Sequence, residues 1–113
     1  MRINNLKKIL VNPKASLSEG IAVIDNGQLK IALVLDENKK LLGLLSDGDV
    51  RRGLLNDISL SDCVSKVMNK NFISVNEEID DEVILSLMRK NSILQVPILD
   101  KDNFIKELFV HES

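Results

Sequence analysis

Aromatic residues are almost missing from this sequence of 113 residues: it contains no tryptophan and no tyrosine, and the aromatic share is only 3%. Hydrophobic residues still reach 44%, so the chain can bury a core, and that core must be built from aliphatic side chains. No apolar run approaches the roughly 20 residues of a membrane-spanning helix. We therefore expect one folded domain of ordinary size, or two very small ones that share a core, with no membrane partner.

Side chains that perform chemistry are equally scarce. The one cysteine, Cys63, and the one histidine, His111, cannot build a zinc site or a Cys–His nucleophile pair within one chain. There is neither a Walker-type phosphate loop nor the glycine fingerprint of dinucleotide-binding domains. A single cysteine also excludes an internal disulfide, which suits a reducing cytoplasm. The composition predicts a cytoplasmic binding or regulatory module with no catalytic residues and no required cofactor, rather than an enzyme.

The sequence has no excess of positive charge either. The 15 Lys and Arg residues are outnumbered by 17 Asp and Glu residues, which gives a formal net charge of -2. Nucleic acids and anionic membranes are bound through clustered Lys and Arg. No such cluster dominates the sequence, so we expect no nucleic-acid partner.

What the sequence does contain is an internal repeat with an offset of 64 residues. Residues 9–12 align with 73–76 at this offset, and residues 31–36 align with 95–100 without a gap. Few positions are identical, but apolar positions match apolar positions through the whole unit. The chain is therefore expected to contain the same structural unit twice.

Both halves show the same order of predicted elements. A short strand is followed by a helix, which Ser16 caps in the first half and Asp80 in the second. Two apolar runs around a polar turn then predict a β-hairpin. The first half adds a helix over residues 47–55, and a further helical stretch is expected over 61–68. The predicted strands cover residues 9–11, 31–35 and 41–45, and in the second half 94–99 and 104–110.

This order predicts an α+β fold of two β-α-β-β-(α) repeats, residues 1–60 and 61–113, related by a pseudo-twofold axis. Neither repeat can bury its apolar face alone, so we expect the two to fold together. The last helix of the second repeat would start after Ser113, so either this helix is missing or the natural polypeptide continues. Pro97 lacks an N–H for a central strand, and we expect it at a strand edge or where the sheet faces a ligand.

One segment, residues 41–52, resembles the cystathionine-β-synthase (CBS) domain family. The family's signature is a glycine, two apolar residues, Ser or Thr, and then Asp or Asn three residues further on. The tandem arrangement of that family, often called a Bateman module, covers essentially the whole chain. Residues 46–55 are similar to CBS pairs that precede sugar-phosphate nucleotidyltransferase domains. The positions that match the signature are Gly43, Leu44, Leu45, Ser46 and Asp49.

The resemblance implies a non-catalytic regulatory module that binds an adenosyl ligand, either an adenine nucleotide (AMP, ADP or ATP) or S-adenosylmethionine. It implies that the module acts on a C-terminal catalytic domain or a partner enzyme. It also implies a homodimer. By position, Ser46 would contact phosphate, Asp49 would receive the ribose hydroxyls, and Ile31 and Ala32 would contact the base. Only Arg51 and Arg52 can offset the two acidic side chains at the start of the helix, and Arg52 joins this predicted site.

Two other interpretations of these residues remain open. Ser-x-x-Asp is also the pattern of a helix capping box, in which both side chains satisfy free backbone N–H groups. Asp47 and Asp49 could instead bind a metal, but calcium and magnesium need more oxygen ligands, so we predict no metal site. The functional alternative is a module that binds no ligand and only dimerises or positions its partner domain.

The second repeat departs from the signature. At the offset of 64 residues, the glycine, the hydroxyl and the carboxylate are replaced by Glu107, Val110 and Ser113. Because the polar groups are lost, at most one well-formed nucleotide site is expected in each chain.

Overall fold

The helices and strands of the computed structural model, which describes residues 1–111, largely follow the predicted repeat. The strands are β1 (Arg2–Ile3), β2 (Leu10–Val11), β3 (Ile31–Leu35), β4 (Leu41–Ser46), β5 (Val75–Asn76), β6 (Gln95–Leu99) and β7 (Ile105–Val110). The α-helices are α1 (Leu17–Gly27), α2 (Asp47–Leu55) and α3 (Asp81–Asn91), and short 3-10 turns cover Lys7–Ile9 and Val64–Lys66.

The chain divides into two compact units. The first unit comprises residues 7–72, and its sheet has the strand order β2-β3-β4. The second unit combines residues 1–6 with residues 73–113, and its sheet has the order β1-β7-β6-β5. In each sheet a parallel pair (β2 with β3, β5 with β6) is followed by an antiparallel hairpin (β3 with β4, β6 with β7). The predicted α+β class is confirmed.

The predicted repeat is confirmed in detail. An offset of 64 residues carries α1 onto α3, β3 onto β6 and β4 onto β7, end to end. The turns also match. The carboxylate of Asp36 accepts the N–H groups of Asn38 and Lys40, and that of Asp100 accepts those of Asp102 and Phe104. This local side-chain bonding is what makes each polar segment turn between two strands.

The helix starts lie where the sequence predicts them. The Oγ of Ser16 accepts the N–H of Glu19 at 3.1 Å and so caps α1, and α1 ends before Gln28, which has a left-handed backbone with φ of 65°. Asp80 precedes α3 with the extended backbone of a cap, but its side chain makes no capping hydrogen bond. The basic residues Arg89 and Lys90 lie in the last turn of α3 and complement the helix dipole.

The helix predicted for residues 61–68 is wrong, because only the 3-10 turn at Val64–Lys66 forms there. The backbone of this segment makes a few short-range bonds of its own, and other main-chain groups bond to the residues around the start of α1. The N–H of Leu17 donates to the carbonyl of Asp62, and the N–H of Val64 donates to that of Ala15, at 2.8 and 2.9 Å. These long-range bonds take donors and acceptors that a continuous helix would need.

Of the two positions predicted for Pro97, the strand edge is wrong, because β6 is an interior strand between β7 and β5. The other, a point where the sheet faces a ligand, stays a prediction. The neighbouring strand β5 nevertheless pairs only with Ile98 and Leu99. In the first unit the matching parallel pair already includes Leu33, the position equivalent to Pro97. Proline has no N–H to donate, which explains why the second ladder begins one residue later.

The N-terminal strand β1 is a feature that the sequence analysis did not predict. It pairs antiparallel with β7, with Arg2 opposite Phe109, and so covers the outer edge of that strand. The Arg2 guanidinium donates to the carboxylates of Asp81 at 2.8 Å and Glu107 at 3.3 Å and to the carbonyl of Ile79 at 2.7 Å. The bond to Asp81 contributes most to raising the pKa of Arg2. One side chain thus ties β1 to the start of α3 and to β7.

Each unit has its own hydrophobic core, and both are largely aliphatic as predicted. Phe109 is the one aromatic side chain among the buried residues of the described chain. Within residues 1–111, no helix has the length and apolar character needed to cross a bilayer. The first core contains Val11, Leu17, Ile24, Ala32, Val34, Leu45, Val50 and Val64, and the second contains Ile84, Met88, Val96, Ile98 and Phe109.

Replacing Gly20 in α1 by alanine is expected to destabilise the protein by about 1–3 kcal/mol through overpacking. A Cβ at this position would lie 2.7 Å from Leu45 Cδ2 and 2.9 Å from Val64 Cγ1, and both of those side chains are fully buried. The clash outweighs the gain of about 1 kcal/mol that alanine brings to a helix. Urea unfolding followed by circular dichroism measures the difference.

The matched control for this substitution is Gly48→Ala in α2. A Cβ at Gly48 meets only the flexible end of Arg52, with the nearest atom at 3.2 Å. This variant should therefore lose no stability or gain slightly. Equal losses for the two variants would show that α1 does not pack against Leu45 and Val64 as closely as described.

Candidate functional site

The predicted site residues lie at one corner of the first unit, where β4 ends and α2 begins. In the β3–β4 hairpin, Ile31 pairs with Ser46 and Ala32 pairs with Leu45. Ser46 is the last residue of β4 and also the N-cap of α2, so the helix starts directly at the sheet. The fold therefore brings the signature serine next to the strand that was expected to contact a base.

Ser46 and Asp49 form a complete capping box. The N–H of Asp49 donates to Ser46 Oγ at 3.3 Å, and the N–H of Ser46 donates to Asp49 Oδ2 at 2.9 Å. The Ser46 hydroxyl also donates to Asp49 Oδ2, at 2.9 Å. The capping interpretation from the sequence is thus confirmed. It does not exclude ligand binding, because the same two side chains lie at the surface of the corner.

Arg52 lies one turn further along α2 and bonds back to Asp49. Its Nη2 donates to Asp49 Oδ1 at 2.9 Å, so both carboxylate oxygens of Asp49 are occupied. The Arg52 side chain is 66% exposed and the Asp49 side chain 14% exposed. The Arg52 guanidinium also folds over Gly48, where a Cβ would be 3.2 Å from Nη1. The arginine therefore covers part of the first turn of the helix.

Ile31 and Ala32 are buried, with 2% and 0% of their surface exposed. Ala32 belongs to the first hydrophobic core, together with Leu45. Side chains at this depth hold the corner in place and present almost no surface to a ligand. Any contact of these two residues with a base would therefore involve the main chain of β3.

Two surface depressions flank the start of α2, both within the first unit. One, of about 620 Å³, is lined by α1 together with Lys30 and Asp47. The other, of about 300 Å³, is lined by Asp49, Arg52 and Lys66, among others. Small-molecule sites have volumes of about 300–1,000 Å³. Sequence reasoning missed both lysines; the position of Lys30 directly before Ile31 was the signal that was available.

The signature glycine, Gly43, has a packing role. The segment that follows the 3-10 turn runs beside β4, and the main-chain groups of Leu44 and Asn69 exchange hydrogen bonds of 3.0 and 2.7 Å. A Cβ at Gly43 would lie 2.8 Å from Met68 Sδ and 3.1 Å from the carbonyl oxygen of Asn69. Glycine is thus needed for the close approach of this segment, independently of any ligand.

The equivalent corner of the second unit has different groups. Glu107 replaces the glycine and accepts a hydrogen bond from Arg2, and Val110 replaces the serine. The position equivalent to Asp49 is Ser113, which lies outside the described residues. No cluster of three or more His, Cys, Asp or Glu suited to a metal ion occurs within residues 1–111.

The comparison with protein families agrees with this geometry. The CBS domain pattern matches twice, over residues 5–56 and 64–106. These two matches account for most of the sequence, and they place a CBS domain in each half. The chain belongs to the CBS domain family.

Curated relatives are identical to this chain at about a third of the aligned positions. An uncharacterized protein of Rickettsia prowazekii is 32% identical over 103 residues, which are 91% of this chain and 32% of the relative. Inosine-5'-monophosphate dehydrogenase of Methanocaldococcus jannaschii is 30% identical over 95 residues, 84% of this chain and 18% of the enzyme. Arabinose 5-phosphate isomerase KdsD of Yersinia pestis is 27% identical over 103 residues, 90% of this chain and 31% of the isomerase. This chain thus spans less than a third of the length of each.

Solved structures share the fold at low sequence identity. An uncharacterized conserved protein from Pyrococcus horikoshii superposes with a TM-score of 0.81 at 20% identity, covering 94% of this chain and 80% of the other. CBSX2 in complex with AMP gives 0.80 at 18% identity, with 90% and 80% coverage. The CBS domain pair of protein MJ0100, in complex with 5'-methylthioadenosine and S-adenosyl-L-methionine, gives 0.79 at 20% identity, with 90% and 83% coverage. The fold is that of a tandem CBS domain pair.

Proposed function

We propose that this chain is a non-catalytic regulatory module that binds an adenine nucleotide at the corner formed by Ser46 and Asp49. The observation that carries the proposal is the meeting of the serine hydroxyl, the carboxylate and the start of a helix at one place beside β3. That combination matches the family signature in the first unit, while Glu107 and Val110 break it in the second. One nucleotide in each chain is therefore expected.

Each part of a nucleotide has a suitable partner at this corner. The first N–H groups of α2 have no acceptors within the helix, and together with the Ser46 hydroxyl they favour a phosphate. The carboxylate of Asp49 suits two ribose hydroxyls, and the main chain of β3 at Ile31 and Ala32 suits the adenine. Asp47 and Asp49 oppose a phosphate by their charge, and Arg52 offsets that charge.

The proposed target is a catalytic domain that follows this module in the same polypeptide, or a separate partner enzyme. Relatives that contain similar segments are several times longer and include a dehydrogenase and an isomerase. The similarity of residues 46–55 to modules that precede sugar-1-phosphate nucleotidyltransferases favours an enzyme of that class. We place the protein in the cytoplasm, where adenine nucleotides are available as signals.

Thermal unfolding with and without AMP, ADP or ATP tests nucleotide binding. A ligand present at one hundred times its dissociation constant adds about 2.7 kcal/mol to the free energy of unfolding, which raises the melting temperature visibly. If none of the three nucleotides changes the melting temperature at millimolar concentration, the proposed function is wrong.

Replacing Asp49 by alanine is expected to abolish the stabilisation by nucleotide. The variant loses the carboxylate proposed to bind ribose, and with it one half of the capping box, which costs about 1 kcal/mol of stability without ligand. Isothermal titration calorimetry with AMP measures the loss of binding, and circular dichroism measures the loss of stability.

The matched control is Asp62→Ala. Asp62 accepts the N–H of Ser59 at 2.8 Å and pairs with Lys66 at 3.1 Å, much as Asp49 accepts the N–H of Ser46 and pairs with Arg52. These bonds, above all the one from the Ser59 N–H, lower the pKa of Asp62. This variant loses the same kind of local bonds but should keep AMP binding. Equal losses of affinity in the two variants would contradict a direct role for Asp49.

A second function, a homodimer that positions its partner domain without binding a ligand, is favoured by exposed leucines near the end of α2. Leu55 is 78% exposed, Leu60 51% and Leu54 44%. Exposed apolar side chains that lie close together are typical of protein interfaces. Sedimentation of Leu55→Glu separates the two functions: a dimer that dissociates, in a protein that binds no nucleotide, supports the second.

A further inference from the structure

The carboxylate of Asp49 is already occupied in this structure. Oδ2 accepts hydrogen bonds from the N–H and the hydroxyl of Ser46, and Oδ1 accepts one from Arg52. A carboxylate offers about four acceptor sites, so two ribose hydroxyls can both bind to it only if one of these three bonds is given up. The bond of Arg52 is the easiest to displace, because the arginine side chain is 66% exposed and exposed ion pairs contribute little to stability.

Displacement leaves the Arg52 guanidinium without its anion. It lies over the first turn of α2, near Gly48, where a phosphate would also bind. It also borders the depression of about 300 Å³, which gives the side chain room to move. A phosphate on the ligand would replace the lost carboxylate partner, whereas an uncharged nucleoside would bring no such replacement.

We infer that Arg52 changes partners when the nucleotide binds, and this inference rests on the proposed function. Arg52 pairs with Asp49 in the free protein and with the ligand's phosphate in the complex. The site therefore selects adenosine 5'-phosphates over uncharged adenosine, and Arg52 adds to the selection that Ser46 and the N–H groups of α2 already provide. A ribose that binds to Asp49 breaks the ion pair of the free protein. Only a ligand that also carries a phosphate then gives Arg52 a new anionic partner.

The neighbouring Arg51 provides a matched control. It lies on the same helix and is exposed, but it is not among the bonding partners of Asp49 in the described structure. Arg51→Gln and Arg52→Gln remove the same charge one residue apart. If the positive charge of the helix merely attracted the phosphate, either substitution would weaken AMP binding. If Arg52 exchanges Asp49 for the phosphate, only Arg52→Gln should do so.

Titration calorimetry with AMP and with adenosine tests the inference on the wild type, Arg52→Gln and Arg51→Gln. In the wild type AMP should bind about tenfold more tightly than adenosine, or better, as expected for one charge-assisted hydrogen bond. In Arg52→Gln the AMP affinity should fall and the adenosine affinity should hold or rise, so that the preference falls to what Ser46 and the N–H groups of α2 provide. Arg51→Gln should keep it, and Arg52→Lys should restore part of it.

The outcomes separate this inference from the proposed function. If the wild type binds AMP and Arg52→Gln keeps the full preference over adenosine, the inference is wrong and the nucleotide site stands. The inference is also wrong, and the nucleotide site again stands, if Arg51→Gln lowers the preference for AMP as much as Arg52→Gln does. If the wild type binds neither compound, both fail. Because Arg52 is exposed, its replacement should leave the melting temperature of the free protein nearly unchanged.

Discussion

Replacing Phe109 by alanine is expected to cost about 3–5 kcal/mol of stability, which is a large part of the total for a protein of this size. Phe109 is 2% exposed and packs in the second core with aliphatic side chains from α3 and β6. It also pairs with Val96 on one side and with Arg2 on the other, at the centre of the sheet. The substitution removes the one buried aromatic ring of the described chain and leaves a cavity that the surrounding strands cannot close.

The measurement is urea unfolding followed by circular dichroism, since the chain has no tryptophan or tyrosine to report by fluorescence. Leu94→Ala is a suitable control because Leu94, in the same unit, is 55% exposed. Its effect should stay within about 0.5 kcal/mol. A loss below 1 kcal/mol for Phe109→Ala would contradict the described packing of the second core.

The elements that the sequence predicts well are those fixed by nearby residues. Ser16 caps α1 through a bond to the N–H three residues on, and Asp36 closes its turn through bonds two and four residues on. Such contacts depend little on the rest of the fold. The repeat adds evidence, because a helix or strand predicted in one half supports the prediction of the equivalent element in the other half.

The elements that the sequence predicts poorly are those fixed by distant residues. β1 has only two residues, too few for any periodicity, and it forms because β7 offers an open edge more than a hundred positions away. Residues 61–68 have apolar spacing that suits a helix, but their main chain bonds to Pro13, Ala15 and Leu17. In both cases tertiary hydrogen bonds override local preference.

In the candidate site, too, the features fixed by nearby residues can be predicted and those fixed by distant residues cannot. The position of Ser46 and Asp49 at a helix start follows from local sequence, and so does their capping box. The bond from Arg52 to Asp49 is local as well, since a spacing of three residues puts these two side chains on one face of α2, whereas Arg51 does not face Asp49. The role of Gly43, by contrast, could not be derived, because it depends on Met68 and Asn69, which approach from a distant part of the chain.

Replacing Leu45 by alanine is expected to cost about 2–5 kcal/mol, and it tests the link between the first core and the site. Leu45 is fully buried, pairs with Ala32 and directly precedes Ser46. Its truncation leaves a cavity beside α1 and removes the support under the start of α2. Urea unfolding measures the cost, and Leu55→Ala, at an exposed position on α2, is the control that should change little.

A double-mutant cycle with Gly20→Ala makes the prediction specific. The Cβ added at Gly20 clashes with Leu45 Cδ2, an atom that Leu45→Ala removes. The two substitutions should therefore cost less together than the sum of their separate effects, by about 0.5–3 kcal/mol. Strict additivity would mean that Gly20 and Leu45 do not touch. A core that does not hold α1 against the end of β4 in this way would also be unable to fix the corner at which Ser46 meets Asp49.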